Sequence, residues 1–309
     1  MIRGERGFAL VITLVVSALL VALVTEFVNE VYVDTSARQN FVDAQQASLL
    51  AESGINGGIK LLQLFVAGRK YNSLSDPWAK PIELADEQGT LEVTIEDESA
   101  KLNLNMVALP KGDMHPVYHP IATRLLKKLE LSPDLCDSLG DWRDEREEPN
   151  PAGAETAYYS TLQAPYAAKN ALLDTLDELR LVKGFDAKTM ERLLPFVTVF
   201  AEDRTGTAAP ININTAPAEV LAAISNNMSD DLVERIIDYR KTTPFQKPGD
   251  LNNVTGMDSI TLTLPSGLVQ TNSNIYRLVS RGRVKETSRV IEAVVNIGGS
   301  PPTLYWREY

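Results

Sequence analysis

The residues of this 309-residue chain that are best suited to chemistry are concentrated in one acidic segment near its middle. Five acids occupy positions 141–148, and Glu155 follows shortly after them. Pro149, Pro151 and Gly153 interrupt any helical pattern, so the segment is predicted to be an irregular loop. Calcium takes about six to eight oxygen ligands, which such loops supply from carboxylates and backbone carbonyls. The segment is therefore a candidate calcium site.

Four carboxylates are the candidate metal ligands: Asp141, Asp144, Glu148 and Glu155. Crowded carboxylates repel one another unless a cation offsets their charge. The segment is not an EF-hand, because the glycine and the terminal glutamate of that motif are missing at the required spacing. On composition alone, a solvated acidic loop without an ion is the alternative.

No arrangement typical of catalysis is present in the sequence, which predicts that the protein is not an enzyme. His115 and His119 are each followed by proline, so a helix cannot place them together as a zinc-binding pair. Cys136 is the only cysteine, which excludes an intramolecular disulfide. A nucleophile elbow, a Walker loop and a dinucleotide-binding fingerprint are all absent from the sequence.

An uncharged apolar stretch occupies residues 7–24. As a helix it would be about 26 Å long, close to the thickness of a hydrocarbon core. Arg3 and Arg6 precede the stretch, whereas Glu26 and Glu30 follow it. This charge asymmetry predicts a single membrane span with a cytoplasmic N-terminus and the body of the chain across the membrane.

The junction Arg6-Gly7-Phe8 directly before the apolar stretch resembles the type IV prepilin and pseudopilin family. The resemblance implies that prepilin peptidase cleaves between Gly7 and Phe8 and methylates the new N-terminus. Most members of that family have glutamate at the fifth mature position, which is Ile12 here. Pseudopilins of the K family lack this glutamate, so its absence points to them. An ordinary single-span anchor is the alternative.

Hydrophobic periodicity predicts an α+β fold. One long helix, amphipathic in its second half, is expected before a small sheet, and a mostly helical region separates the sheet's two parts. The predicted elements are a helix at 8–67, strands at 91–96 and 102–106 joined by a hairpin at 97–100, helices within 108–270, and strands at 275–284 and 289–297.

This layout resembles the K pseudopilins, in which a large all-α domain is inserted in the sheet of a pilin. The acidic segment and the following Tyr158-Tyr159 pair also resemble the signature segment of that family, whose helical domain binds calcium. The resemblance implies a long transmembrane and pilin helix packed on a small antiparallel sheet. The expected domains are a cleaved leader at 1–7, the helix at 8–67 with a span at about 8–25, an α/β domain at 68–107 and 271–309, and an inserted domain at 108–270.

The segment at 211–221, together with residues 236–240, resembles helix-hairpin-helix modules, including those of DNA-uptake receptors. Thr215 or Asn214 is predicted to cap the first helix of this pair. The turn at 225–231 contains two aspartates and no glycine, lysine or arginine, whereas a phosphate site needs accessible N–H groups and positive charge. Because the net charge is also −11, nucleic acid is not an expected partner.

The resemblance to the K family implies a function in protein export. The chain would be a minor pseudopilin at the tip of a type II secretion pseudopilus, with minor pseudopilins I and J as partners and a structural calcium ion. It would be anchored in the inner membrane, with its body in the periplasm, and would support export across the outer membrane. A membrane-anchored DNA receptor is the alternative, and a membrane-tethered hydrolase has only the acidic loop in its favour.

Overall fold

A single helix, α1 (Glu5–Phe65), contains 61 residues and is about 90 Å long. The computed structural model describes residues 5–202, 208–299 and 302–309, with side chains described from Phe8 onward. Every side chain from Phe8 to Thr35 is exposed, and this part of α1 is long and apolar enough to cross a membrane. The predicted long helix is confirmed, and it ends two residues earlier than expected.

The remaining elements of the described chain are short by comparison. In chain order the strands are β1 (Ile82–Asp86), β2 (Gly89–Asp97), β3 (Leu102–Asn103), β4 (Val197–Thr198), β5 (Ile211–Asn212), β6 (Val269–Gln270), β7 (Ile275–Val284), β8 (Thr287–Asn296) and β9 (Thr303–Glu308). The helices after α1 are α2 (Tyr118–Lys128), α3 (Leu135–Arg143), α4 (Thr156–Tyr159), α5 (Ala187–Leu193), α6 (Ala218–Ile224), α7 (Asp230–Thr242) and α8 (Asp258–Thr261).

Five strands form one antiparallel sheet in the order β1-β2-β7-β8-β9. The predicted C-terminal hairpin is confirmed, because β7 pairs with β8 from Ile275 opposite Asn296 to Val284 opposite Thr287. Ile291, Ala293 and Val295 are buried in the core between the sheet and α1. On the helix, the fully buried Ala51, Ile55 and Leu62 pack in that same core.

The predicted hairpin at 97–100 is wrong. β2 instead forms its hairpin with β1, and the chain after Asp97 turns into a short 3-10 helix at Glu98–Ala100. Asp97 Oδ1 accepts a hydrogen bond from the Ser99 N–H at 2.8 Å, and Asn103 Oδ1 accepts one from the Asn105 N–H at 2.9 Å. These side chains compete with the sheet for backbone donors, so the alternating pattern at 102–106 yields only the two-residue β3.

The helical region has its own hydrophobic core, which extends along the chain from Leu102 to Leu268. Residues 102–107, which the predicted division assigned to the sheet domain, contribute several side chains to this second core. The predicted domain boundaries at 107 and 270 stay predictions. The strands of the large sheet lie at 82–97 and 275–308, on both sides of the helical region in the sequence.

A buried polar junction connects the sheet to the helical region. The Asp97 carboxylate at the end of β2 accepts hydrogen bonds from Asn212 Nδ2 at 2.8 Å and from Thr215 Oγ1 at 2.6 Å. The neighbouring Glu98, which is fully buried, pairs with Arg277 Nε on β7 at 2.7 Å. Because buried polar groups are costly without partners, these bonds favour one orientation of the helical region on the sheet.

Candidate metal centre

Three of the predicted ligands converge at one end of α3. Asp141 lies in the last turn of α3, Asp144 directly follows that helix in an extended conformation, and Glu155 directly precedes α4. One carboxylate oxygen from each of the three lies within 4.8 Å of the others. All three side chains are buried, with exposed fractions of 0%, 0% and 2% respectively.

The hydrogen bonds at this cluster are unevenly distributed. Asp141 accepts hydrogen bonds from the Asn150 N–H at 3.1 Å and from Asn150 Nδ2 at 2.5 Å. Asp144 accepts one from the Arg146 N–H at 2.7 Å, while the guanidinium of the same arginine lies 3.5 Å from its other oxygen. Neither carboxylate oxygen of Glu155 has a hydrogen-bond partner among the described residues. This buried carboxylate therefore lacks the compensation that burial normally requires.

The free energy cost of ionising all the carboxylates of the cluster at once is therefore high. Burial and the neighbouring Asp141 and Asp144 carboxylates raise the pKa of Glu155 to about 8. Burial also raises the pKa of Asp141, and the charge of Asp144 adds to the effect, although Asn150 donates hydrogen bonds to the ionised form. A bound cation would reverse this balance by favouring the charged form of each carboxylate.

The donor set fits a hard divalent cation. Its three side-chain donors are carboxylate oxygens, which suit calcium or magnesium, and the orphaned Glu155 oxygens are buried at the cluster without another partner among the described residues. Asp141, Asp144 and Glu155 are the residues that would hold such an ion. Calcium needs more ligands than these three supply, so backbone carbonyls or water would complete the coordination.

Glu148 does not join the other predicted ligands. Its side chain is exposed, and it is not part of the three-carboxylate cluster. The residue before a proline is disfavoured in helical conformation, and Glu148 precedes Pro149 in an irregular segment of the surface. The predicted four-residue set is therefore corrected to three residues by the geometry, while occupancy by calcium stays a prediction.

Sequence reasoning did not predict how several other residues of this segment shape the cluster. A Cβ placed on Gly153 would lie 1.8 Å from Asp141 Oδ2, so only glycine leaves room for that carboxylate. Trp142 packs edge-on against Tyr159 with ring centroids 5.1 Å apart, and Tyr159 stacks on Tyr166 at 5.2 Å. The signal for them in the sequence was the resemblance of the whole segment, with its glycine and aromatic residues, to the signature segment of the family. Trp142 and Tyr159 are buried in the core of the helical region, and Tyr166 packs against that core.

The helix-hairpin-helix region forms a helical pair, α6 and α7, joined by the turn at 225–229. Ser229 caps α7 by accepting a hydrogen bond from the Leu232 N–H at 3.2 Å, and Asp230 follows with an 81% exposed side chain. The predicted cap is wrong, because α6 begins only at Ala218 and the Thr215 hydroxyl donates to Asp97 instead. The N-terminus of α7 therefore presents negative charge where a phosphate site would need positive charge.

The predicted processing site lies at the start of α1. Phe8 is 69% exposed and Ile12 is 46% exposed. Residues 1–4 of the predicted leader lie outside the described residues. Cleavage between Gly7 and Phe8 stays a prediction.

The exposed apolar helix, the sheet on its second half and the separate helical region are the features of a pilin-like subunit with an additional helical domain, and the helix is consistent with a single-pass membrane anchor. Family models described as type II secretion system (T2SS), protein K match residues 100–202 and 211–272. The chain belongs to the type II secretion system protein K family, as predicted from its sequence.

Curated relatives agree with this assignment. Type II secretion system protein K of Pseudomonas aeruginosa is 32% identical over 261 residues, which cover 80% of this chain and 76% of that protein. The protein of the same name from Klebsiella pneumoniae is 30% identical over 235 residues, covering 71% of this chain and 70% of that protein.

A solved structure shares the fold. One chain of the GspK-GspI-GspJ complex from the type 2 secretion system of enterotoxigenic Escherichia coli superposes with a TM-score of 0.74. The match covers 89% of this chain and 99% of that chain at 23% identity. The predicted α+β class, with a long apolar helix, an antiparallel sheet and further helices, is confirmed.

Proposed function

We propose that this chain is a minor pseudopilin at the tip of a type II secretion pseudopilus, where it assembles with minor pseudopilins I and J. Its role is structural and not catalytic, and it supports the export of proteins from the periplasm across the outer membrane. The observation that carries the proposal is α1, which exposes an apolar first half and packs its second half on the sheet.

The exposed half of α1 needs lipid or other helices around it. Phe8, Leu14 and Leu23 are each more than 60% exposed, and burying such side chains contributes roughly 1.5–3 kcal/mol apiece. In the family that the sequence resembles, these helices bundle, and the glutamate at the fifth mature position pairs with the neighbouring subunit above. Ile12 stands at that position, which suits a tip subunit that has no such neighbour.

The proposed partners rest on the structural neighbour, which was solved as a complex of GspK with GspI and GspJ. The test is co-expression of the tagged full-length chain with pseudopilins I and J of the same bacterium, followed by detergent extraction and affinity purification. Both partners should elute with this chain, whereas an unrelated single-span protein with the same tag should retain neither. Elution without I and J would contradict the tip assignment.

The orientation and processing of the chain follow from the same proposal. The N-terminus is cytoplasmic, the body is periplasmic, and prepilin peptidase cleaves between Gly7 and Phe8. Mass spectrometry of the membrane-extracted protein should find a methylated N-terminus at Phe8. An intact Met1 in cells with active peptidase would be incompatible with this processing.

The acidic cluster is proposed to hold a structural calcium ion through Asp141, Asp144 and Glu155. When bound, the ion supplies the positive charge that offsets three buried negative charges. Support comes from the convergence of the three carboxylates within 4.8 Å and from the Glu155 oxygens, which lack a partner among the described residues. A solvated acidic loop would not bury these side chains, since charged groups lose hydration on burial.

A further inference from the structure

A lysine from a distant part of the sequence contacts the backbone of the acidic loop. Lys183 lies in the turn between the 3-10 helix Leu176–Leu181 and α5, and the following Gly184 has a φ of +87°, which favours glycine. The Lys183 Nζ donates to the Ala152 carbonyl at 3.1 Å and to the Gly153 carbonyl at 2.9 Å. The lysine is half-buried, and it is distant in the sequence from the acids of the cluster.

Two further contacts hold the lysine in this place. Its backbone N–H donates to the Tyr159 hydroxyl at 3.2 Å. Its ammonium group lies 5.4 Å from the centre of the Tyr158 ring, within range of a cation–π interaction. The side chain therefore spans from the turn to the acidic loop in a defined direction.

The bond to the Gly153 carbonyl sets the orientation of a whole peptide group. The peptide bond is planar and trans, so its carbonyl and its N–H point in opposite directions. The peptide between Gly153 and Ala154 directs its carbonyl to Lys183. Its N–H faces the Asp141 carboxylate and favours the ionised form of that group, which partly offsets the rise in its pKa caused by burial. Gly153 itself lies against this carboxylate, since a Cβ on it would be 1.8 Å from Asp141 Oδ2. Glu155 is the next residue along the chain, so the orientation of this peptide also governs where its carboxylate lies.

We infer that Lys183 is a positioning residue for the cation site, acting through the Gly153–Ala154 peptide on Asp141 and Glu155. The inference rests on the proposed calcium site. Lys183 occupies two carbonyls of the loop with its own ammonium, so those oxygens are held outside the cluster and the carboxylates are held inside.

The test uses the detergent-purified full-length chain and terbium as a probe. Terbium replaces calcium at hard oxygen sites, and Trp142, next to Asp141 in the sequence, can sensitise its luminescence. Lys183→Met should weaken terbium binding, and calcium competition for it, by about ten- to hundredfold, as is typical when an outer-sphere partner is lost. Lys183→Arg, which keeps charge and N–H donors, should recover part of the affinity. Lys188→Met, which removes an exposed lysine on α5, is the matched control and should bind as the wild type does.

Melting temperatures separate positioning from a general structural role. A purely structural lysine would lower the melting temperature of Lys183→Met equally in calcium and in chelator, whereas a positioning residue reduces the difference between the two conditions. If the wild type binds terbium and Lys183→Met binds it equally well, the role of Lys183 is overturned and the calcium site stands. If the wild type shows neither luminescence nor a calcium-dependent melting temperature, the calcium site fails, and the role of Lys183 fails with it.

Discussion

Glu155 is the least compensated residue of the acidic cluster, because it is buried beside two other carboxylates and neither of its oxygens has a hydrogen-bond partner among the described residues. A buried charged group without partners carries a large desolvation cost. Within the described part of the chain, the only ion pair to the cluster comes from Arg146, whose guanidinium is 3.5 Å from Asp144 and 41% exposed. We therefore propose an inorganic cation as the partner of these groups.

Removing a single ligand should abolish most of the effect of calcium on stability. A bound ion favours the folded state by about 2.7 kcal/mol when it is present at a hundred times its Kd. Calorimetry of the full-length chain should therefore show a higher melting temperature in calcium than in chelator. Asp144→Ala should lose most of that difference.

Glu148→Gln is the matched control, because it removes an acid of the same loop whose side chain is exposed and outside the cluster. This variant should keep the full response to calcium. Equal melting temperatures of the wild type in calcium and in chelator would show that the cluster does not hold a calcium ion. A loss of response in Glu148→Gln would restore the four-residue ligand set.

The raised pKa of Glu155 predicts a pH dependence for the ion-free protein. An unperturbed glutamate has a pKa of 4.5, whereas burial and the neighbouring carboxylates raise that of Glu155 to about 8. Between these values the folded state binds the proton more tightly than the unfolded state does. The free energy of unfolding should therefore fall as the pH rises from about 5 to about 8.

Melting curves in chelator across this pH range provide the measurement, with Glu155→Gln as the comparison. The amide cannot ionise, so the stability of the wild type relative to the variant should decrease with rising pH. Calcium should oppose the decrease, because it favours the ionised carboxylate. Parallel curves for the two proteins would show that Glu155 is not perturbed in this way.

At the scale of elements, the contact between α1 and the sheet depends on small residues of the helix. A Cβ on Gly54 would lie 2.2 Å from Ser280 Oγ and 2.8 Å from Leu91 Cδ1. A Cβ on Gly57 would meet nothing within 4 Å. Both glycines have the same low helix propensity, so the effects of replacing them by alanine should differ only through packing against the sheet.

Paired alanine substitutions test this contact. Gly57→Ala should raise the free energy of unfolding by up to about 1 kcal/mol, since alanine is the better helix former. Gly54→Ala should be less stable than Gly57→Ala by about 1–3 kcal/mol because it overpacks the sheet. Urea unfolding of the two variants gives the comparison. Equal stabilities would mean that α1 does not approach the sheet this closely.

On the scale of the whole molecule, the helix-hairpin-helix scaffold could either bind the phosphates of DNA or only pack in the helical core, and the charge of the chain favours the second. The chain carries a net charge of −11, and Asp230 and Asp231 stand at the start of α7. Phosphate binding at a helix N-terminus relies on free N–H groups and a favourable field, and carboxylates there oppose it. The apolar residues of both helices pack in the helical core, and we expect no phosphate site at their turn.

The full-length chain should accordingly bind duplex DNA more weakly than about 1 μM at roughly 0.15 M salt. Gel-shift titration in detergent measures this, with a DNA-binding helix-hairpin-helix protein as the positive control. Tighter binding would mean that the chain has a surface that binds DNA, and it would support the receptor alternative.

Local sequence patterns were sufficient to predict several secondary-structure elements of this protein. The uninterrupted apolar and then amphipathic periodicity predicted α1, and the alternation at 275–297 predicted the β7–β8 hairpin. Both patterns involve residues that are close in the sequence, and the period of the apolar residues distinguishes a helix from a strand. The same holds for the acidic loop, which its prolines and crowded carboxylates indicate without any knowledge of the fold.

Tertiary structure alone decided which residues meet across the chain. The side chains of Asp97 and Asn103 accept backbone hydrogen bonds in the region of the predicted hairpin, and β2 pairs with β1 and β7 instead. The loop buried Glu155 and exposed Glu148, although both are equally acidic. Sequence spacing cannot distinguish such residues, because the packing of the whole core determines which side chains of the loop are buried. Burial therefore decides which acids can act as ligands, and only the folded chain determines burial.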